Sequence, residues 1–131
     1  MRKIIMNERD VDERTDRGGG YRVLITPGSV DAQQLIMGTA RVPPGDKVAP
    51  HAHDYSEECF FVMRGQGLLS LDGLGTFPFR AGDACFVPQG VVHTIENTGE
   101  EDIDVVFASA PLAPRPALGH RNIATETGVK A

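Results

Sequence analysis

The chain contains no tryptophan and only two cysteines, and nowhere in its 131 residues does an apolar run approach the roughly 18 residues that a membrane helix requires. A membrane-spanning reading is therefore set aside. Cys59 and Cys85 lie in separate apolar runs without CxxC spacing, which points to buried free thiols rather than a disulfide or a pair of ligands. The 13 lysines and arginines form no run or stripe suited to phosphates, and 18 acidic residues outnumber them to give a net charge of -5. Nucleic acid is not an expected partner. The first residues, MRKIIMNERDVDER, turn charged after three apolar positions instead of building a signal-peptide core, so a cytoplasmic protein is expected. Helical periodicity is missing as well, since no amphipathic stretch extends to three turns.

What is present reads as strands and turns. Fifteen glycines and nine prolines are scattered between short apolar runs. The runs are Tyr21–Ile25, Gln34–Val42, Glu58–Met63, Gly67–Leu71, Thr76–Phe79, Ala84–Val87, Val91–Ile95 and Ile103–Ala108, separated by turn sequences such as PPGD, RGQG and NTGEED. Regular spacing of short strands predicts an all-β domain, a sandwich or barrel. One domain of 1–131 is expected, with an N-terminal arm of about residues 1–20, a core barrel of about 21–110 and a proline-rich C-terminal arm of about 111–131. Ile4–Met6 is a candidate extra strand, and PLAPRPALGH at Pro111–His120 holds too many prolines for a helix or central strand. Open sheet edges and the apolar Lys3–Met6 segment together predict a homodimer.

Two segments carry chemistry. In the first, His51 and His53 stand two apart on extended chain, where side chains return to the same side and both imidazoles can reach one ion. Glu58 opens the next apolar run, in which alternation sends Glu58, Phe60 and Val62 one way and Cys59, Phe61 and Met63 the other. A carboxylate facing an apolar interior needs a partner, and a cation held by two imidazoles supplies one. In the second segment a Pro-x-Gly turn at Pro88–Gly90 precedes a run whose only imidazole is His93. Three of the four histidines in the chain thus fall in these two segments. His51, His53, Glu58 and His93 are the expected ligands of one divalent metal ion, with one or two positions left for water or substrate. Nitrogen and oxygen donors of this kind suit zinc, iron, manganese, nickel or copper.

The first segment resembles cupin motif 1, G(X)5HXH(X)3,4E(X)6G, through Gly45, His51, His53, Glu58 and Gly65. The second resembles cupin motif 2, G(X)5PXG(X)2H(X)3N, through Gly82, Pro88, Gly90, His93 and Asn97. The resemblance implies a jelly-roll β-barrel with the metal inside one end. RGGGYRVLITPGSV, HAHDYSEE and PLAPRPALGH further resemble the small cupin-type cyclases of bacterial aromatic polyketide pathways, such as those for tetracenomycin and resistomycin.

That likeness implies a metal-dependent polyketide cyclase acting on a small-molecule poly-β-ketone by intramolecular aldol condensation and loss of water. Zinc suffices, because no electron moves. Glu57, His120 and water activated by the ion are the candidate proton carriers, although alternation along the strand points Glu57 away from Glu58. Phe60, Val62, Val91 and Ile95, on the ligands' side, are the candidate walls of the substrate pocket, and equally plain barrel core. Two other readings compete: an iron- or copper-dependent cupin dioxygenase acting on an aromatic substrate, and a non-catalytic small-molecule-binding module.

Overall fold

The computed structural model describes residues 3–123. Its strands are β1 (Gly20–Ile25), β2 (Ile36–Val42), β3 (Lys47–Ala52), β4 (Glu57–Arg64), β5 (Gln66–Leu71), β6 (Gly75–Arg80), β7 (Ala84–Val87), β8 (His93–Asn97), β9 (Ile103–Ala110) and β10 (Arg121–Asn122). They form two antiparallel five-stranded sheets, one in the order β1-β2-β9-β4-β7 and the other in the order β10-β3-β8-β5-β6. This is the expected all-β jelly-roll arrangement.

Alternation builds the core. Phe60 and Val62 of β4 with Val42, Val87, Ile103 and Val105 from the same sheet meet Leu69, Leu71, Phe79 and Ile95 from the other. Phe60 stands edge-on to Phe79, with ring centroids 5.8 Å apart. Gly65, which closes motif 1, joins β4 to β5 at φ 88°, and a Cβ there would meet the backbone oxygen of Asp102 at 2.5 Å. Only glycine satisfies both the left-handed backbone and the missing space.

Several expectations need correction. Cys59 is exposed and Cys85 half-buried, both as free thiols, because the apolar run of β4 has two faces and Cys59 lies on the outer one. Burial next to Asp83 raises the Cys85 thiol to about 11. Ile4–Met6 joins no strand, and Ile4 and Ile5 are 77% and 86% exposed. Val91 precedes β8 rather than lying on it, while the strand β3, which bears His51, is not an apolar run, because it holds Pro50 and a lysine. The proline-rich arm is not wholly extended: Pro116–Leu118 makes one 3-10 turn before β10, and the part of the arm beyond 123 lies outside the described residues. Among the described residues no helix is long and apolar enough to cross a membrane.

Candidate metal centre

The ligand candidates come from both sheets. His51 lies on β3 and His93 on β8, and the two are direct cross-strand partners. Glu58 lies on β4 of the opposite sheet, between Ser109 of β9 and Val87 of β7.

A bulge in β3 is what turns His51 inward. Lys47 and Val48 pair with Glu96 and Ile95, but the register then slips, so that His51 pairs with His93. Ile95 and His93 are two apart and share a face of β8, whereas Val48 and His51 are three apart. One extra residue, in a stretch where Pro50 has no N–H to give the ladder, reverses the parity and puts both on that face.

The rings approach closely. Centroids are 4.1 Å apart for His51 and His93, 5.0 Å for His51 and His53, and 5.4 Å for His53 and His93. His93 is 1% exposed, and the His53 and Glu58 side chains are 14% and 13% exposed. The Glu58 carboxylate lies between two rings, with Oε1 3.7 Å from His53 Nε2 and Oε2 3.5 Å from His93 Nε2.

Each ring spends its other nitrogen on a backbone carbonyl: His51 Nδ1 on Ala49 at 2.8 Å, His93 Nδ1 on Val91 at 3.0 Å, and His53 Nδ1 on Gly119 at 2.8 Å. A carbonyl only accepts, so each Nδ1 donates, and in the neutral ring Nε2 keeps its lone pair. The Nε2 atoms of His53 and His93 are buried without a hydrogen-bond partner. Burial, and then the neighbouring His93, lower His51 to about 2, so its ring stays neutral. Lone pairs facing carboxylate oxygens repel, and a cation placed among them relieves the repulsion. The residues fit a divalent ion, with ligand atoms of His53, Glu58 and His93 all within 4.8 Å of one another.

His120 also reaches this place. The C-terminal segment folds back so that the His120 ring stacks on His51, 4.6 Å between centroids at 11°, and lies 5.7 Å from His53. His51, His53 and His120 form a second group whose ligand atoms lie within 4.8 Å. His120 Nε2 is 2.7 Å from Asn122 Oδ1, its Nδ1 is buried without a partner, and burial lowers it to about 4. Glu57, the other side chain considered as a proton carrier, is exposed on the outer face of β4 and does not join the group.

Phe60, Val62 and Ile95 belong to the buried core, and Val91 packs against it. Phe60 shares the Glu58 face of β4, and Ile95 shares the His93 face of β8. The two motif segments are tied together by the Gly90 N–H, which donates to the His53 carbonyl at 2.9 Å from a backbone at φ 76°. Asn97, the last residue of motif 2, is no ligand. Its Nδ2 donates to the carbonyls of Val42 and Glu101, both at 2.8 Å, and its Oδ1 accepts from Gly99.

Two packed antiparallel sheets enclosing a His/His/Glu/His cluster that could hold a metal ion define a small jelly-roll protein. The chain belongs to the cupin domain family, which matches residues 38–109. It is 39% identical over 120 residues to the polyketide synthase CurC of Streptomyces cyaneus, covering 92% of this chain and 77% of that protein. To the tetracenomycin polyketide synthase protein TcmJ of Streptomyces glaucescens it is 38% identical over 104 residues, covering 79% of this chain and 69% of that one. The solved structure of the polyketide cyclase RemF from Streptomyces resistomycificus shares the fold, with a TM-score of 0.72 at 21% identity over 98% of this chain and 89% of that chain.

Proposed function

We propose that the chain is a one-domain, metal-dependent polyketide cyclase that closes a ring of a poly-β-ketone by intramolecular aldol condensation and loss of water. The observation that carries this reading is the set of carbonyl-anchored imidazoles around Glu58, in a chain whose relatives are named as polyketide synthase proteins. His51, His53, Glu58 and His93 would hold the ion, zinc in this reading. When bound, it supplies a Lewis acid that polarises carbonyl oxygens.

The chain's own residues do the rest. Phe60, Val62, Val91 and Ile95 give an apolar floor that suits a planar, hydrophobic substrate and excludes water. His120 offers its buried, unpartnered Nδ1 as the acceptor for a proton leaving the carbon next to a carbonyl, while Asn122 holds the far nitrogen. The same ring can return that proton to the departing hydroxyl. A homodimer belongs to this reading, supported by exposed Ile4 and Ile5 and by the apolar outer face of Phe61, Met63 and Phe86.

The test is metal analysis of the purified protein followed by incubation with a reconstituted poly-β-ketone synthase under an oxygen electrode. Zinc together with a new cyclised product and no oxygen uptake is expected. Iron or copper with oxygen consumption would replace the cyclase by a dioxygenase, and a protein that holds no metal would leave a binding module.

A further inference from the structure

We propose that Arg121 and Asp54 are positioning residues of the metal centre: their ion pair latches the C-terminal strap across the His51–His53 segment and so fixes the ring of His53. This rests on the metal-binding part of the function proposed above. The starting point is an asymmetry among the three imidazoles. His51 and His93 take their Nδ1 partners locally, from carbonyls two residues earlier. His53 takes its partner from Gly119, 66 positions along the chain. Two rings are therefore set by the chain just before them, and the third is set by the C-terminal strap.

The strap is held at several points. Ser56 Oγ donates to the Pro111 carbonyl at 2.5 Å, while within the strap Gly119 N donates to the Pro116 carbonyl at 3.0 Å and closes its turn. Arg121 and Asn122 pair with Ala52 and His51, and the Ile123 N–H reaches the Pro50 carbonyl at 3.3 Å. The side-chain link is a two-pronged one: Arg121 Nε to Asp54 Oδ2 at 2.9 Å and Arg121 Nη2 to Asp54 Oδ1 at 3.0 Å. Asp54 follows His53 directly, and Arg121 stands two residues after Gly119. The planar fork thus ties the His53 and Gly119 backbones together beside the bond that they share.

The chemical consequence concerns one proton. With Gly119 in place, His53 carries its proton on Nδ1 and keeps an Nε2 lone pair for a metal. Without it, the neutral ring is free to carry the proton on Nε2 and donate toward Glu58, whose Oε1 is 3.7 Å away. That tautomer blocks the ligand atom. Both partners of the ion pair are about half exposed, so the pair adds little to global stability and acts on the local opening of the strap.

The test uses the full chain as wild type, Arg121→Ala, Asp54→Asn, and the charge-swapped double variant Asp54→Arg/Arg121→Asp. Zinc affinity is measured by competition with a chelator, the His53 tautomer by ring-nitrogen NMR on zinc-free protein, and folding by thermal melting. Each single variant is expected to bind zinc roughly ten-fold more weakly, as loss of a partner behind a metal-bound histidine does. Both should melt near wild type and show His53 as a tautomer mixture, and the double variant should recover most of the affinity. Single variants within two-fold of wild type in affinity, with His53 still protonated on Nδ1, would overturn the latch, as would a double variant no better than either single one. If wild-type protein itself bound no zinc, the metal reading would fall, and the His53 tautomer in the zinc-free variants would still decide the latch.

Discussion

His51 and His93 stand directly opposite each other on β3 and β8, and a register slip after Val48 is what makes them partners. The two motifs are thereby joined through a single rung of one ladder, with ring centroids 4.1 Å apart. Replacing His51, His53 or His93 by Ala should sharply lower bound metal, since each removes one donor from a small set. Metal content measured on purified single variants checks this, and wild-type content in all three would remove the site.

Glu58→Gln separates charge from shape. The amide fills the same space, and unlike the carboxylate it can donate to the buried, unpartnered Nε2 atoms of His53 and His93. Metal-free Glu58→Gln should be as stable as metal-free wild type or more so, by about 1 kcal/mol for one added hydrogen bond. Metal affinity should fall while some binding remains, because three imidazoles are intact, and most cyclisation activity should be lost. Thermal melts with and without chelator, beside an activity assay, test the pattern; full activity with unchanged affinity would show that Glu58 is no ligand.

Gly65→Ala tests the fold beneath the site. The residue sits at φ 88°, and its new methyl group would strike the backbone oxygen of Asp102 at 2.5 Å, a clash that no change of side-chain rotamer can relieve. A loss of at least about 2 kcal/mol is expected from the left-handed backbone and the clash together. Denaturant titration measures it.

The candidate cluster is legible because its residues sit at fixed spacings along extended chain, and extended chain has a simple parity. His51, His53, Glu58, His93 and the turn glycines could therefore be read directly. The bulge in β3 could not, because where an extra residue falls depends on the register with β8, which spacing along one strand does not contain. Gly119 was equally hidden, since its part is played by a backbone carbonyl that every residue possesses. His120 was visible as a histidine, but its place beside His51 depends on the path of the strap. The exposure of Cys59 is hidden because its run is apolar on both faces: Phe60 and Val62 face the core, while Phe61 and Met63 are exposed outside.

That outer face leads to the last prediction, which concerns the two thiols and the dimer together. In one subunit Cys59 is exposed on β4, flanked by exposed Phe61 and paired across the ladder with exposed Phe86, whereas Cys85 is half-buried. A thiol reacts as its thiolate. Burial raises Cys85 to about 11, so near pH 8 only a small fraction of it is ionised and it should label slowly at any protein concentration. Cys59 should behave differently. If a second copy covers the outer face of β4 and β7, Cys59 labels slowly at high concentration and faster on dilution, as the dimer dissociates by mass action. Labelling with a thiol reagent across a dilution series, with the mass in solution measured beside it, reads both effects. A monomeric mass at micromolar concentration, with a Cys59 rate independent of dilution, would count against the dimer. A dimeric mass with Cys59 always fast would move the interface off this face, to Lys3–Met6 or to the sheet edges.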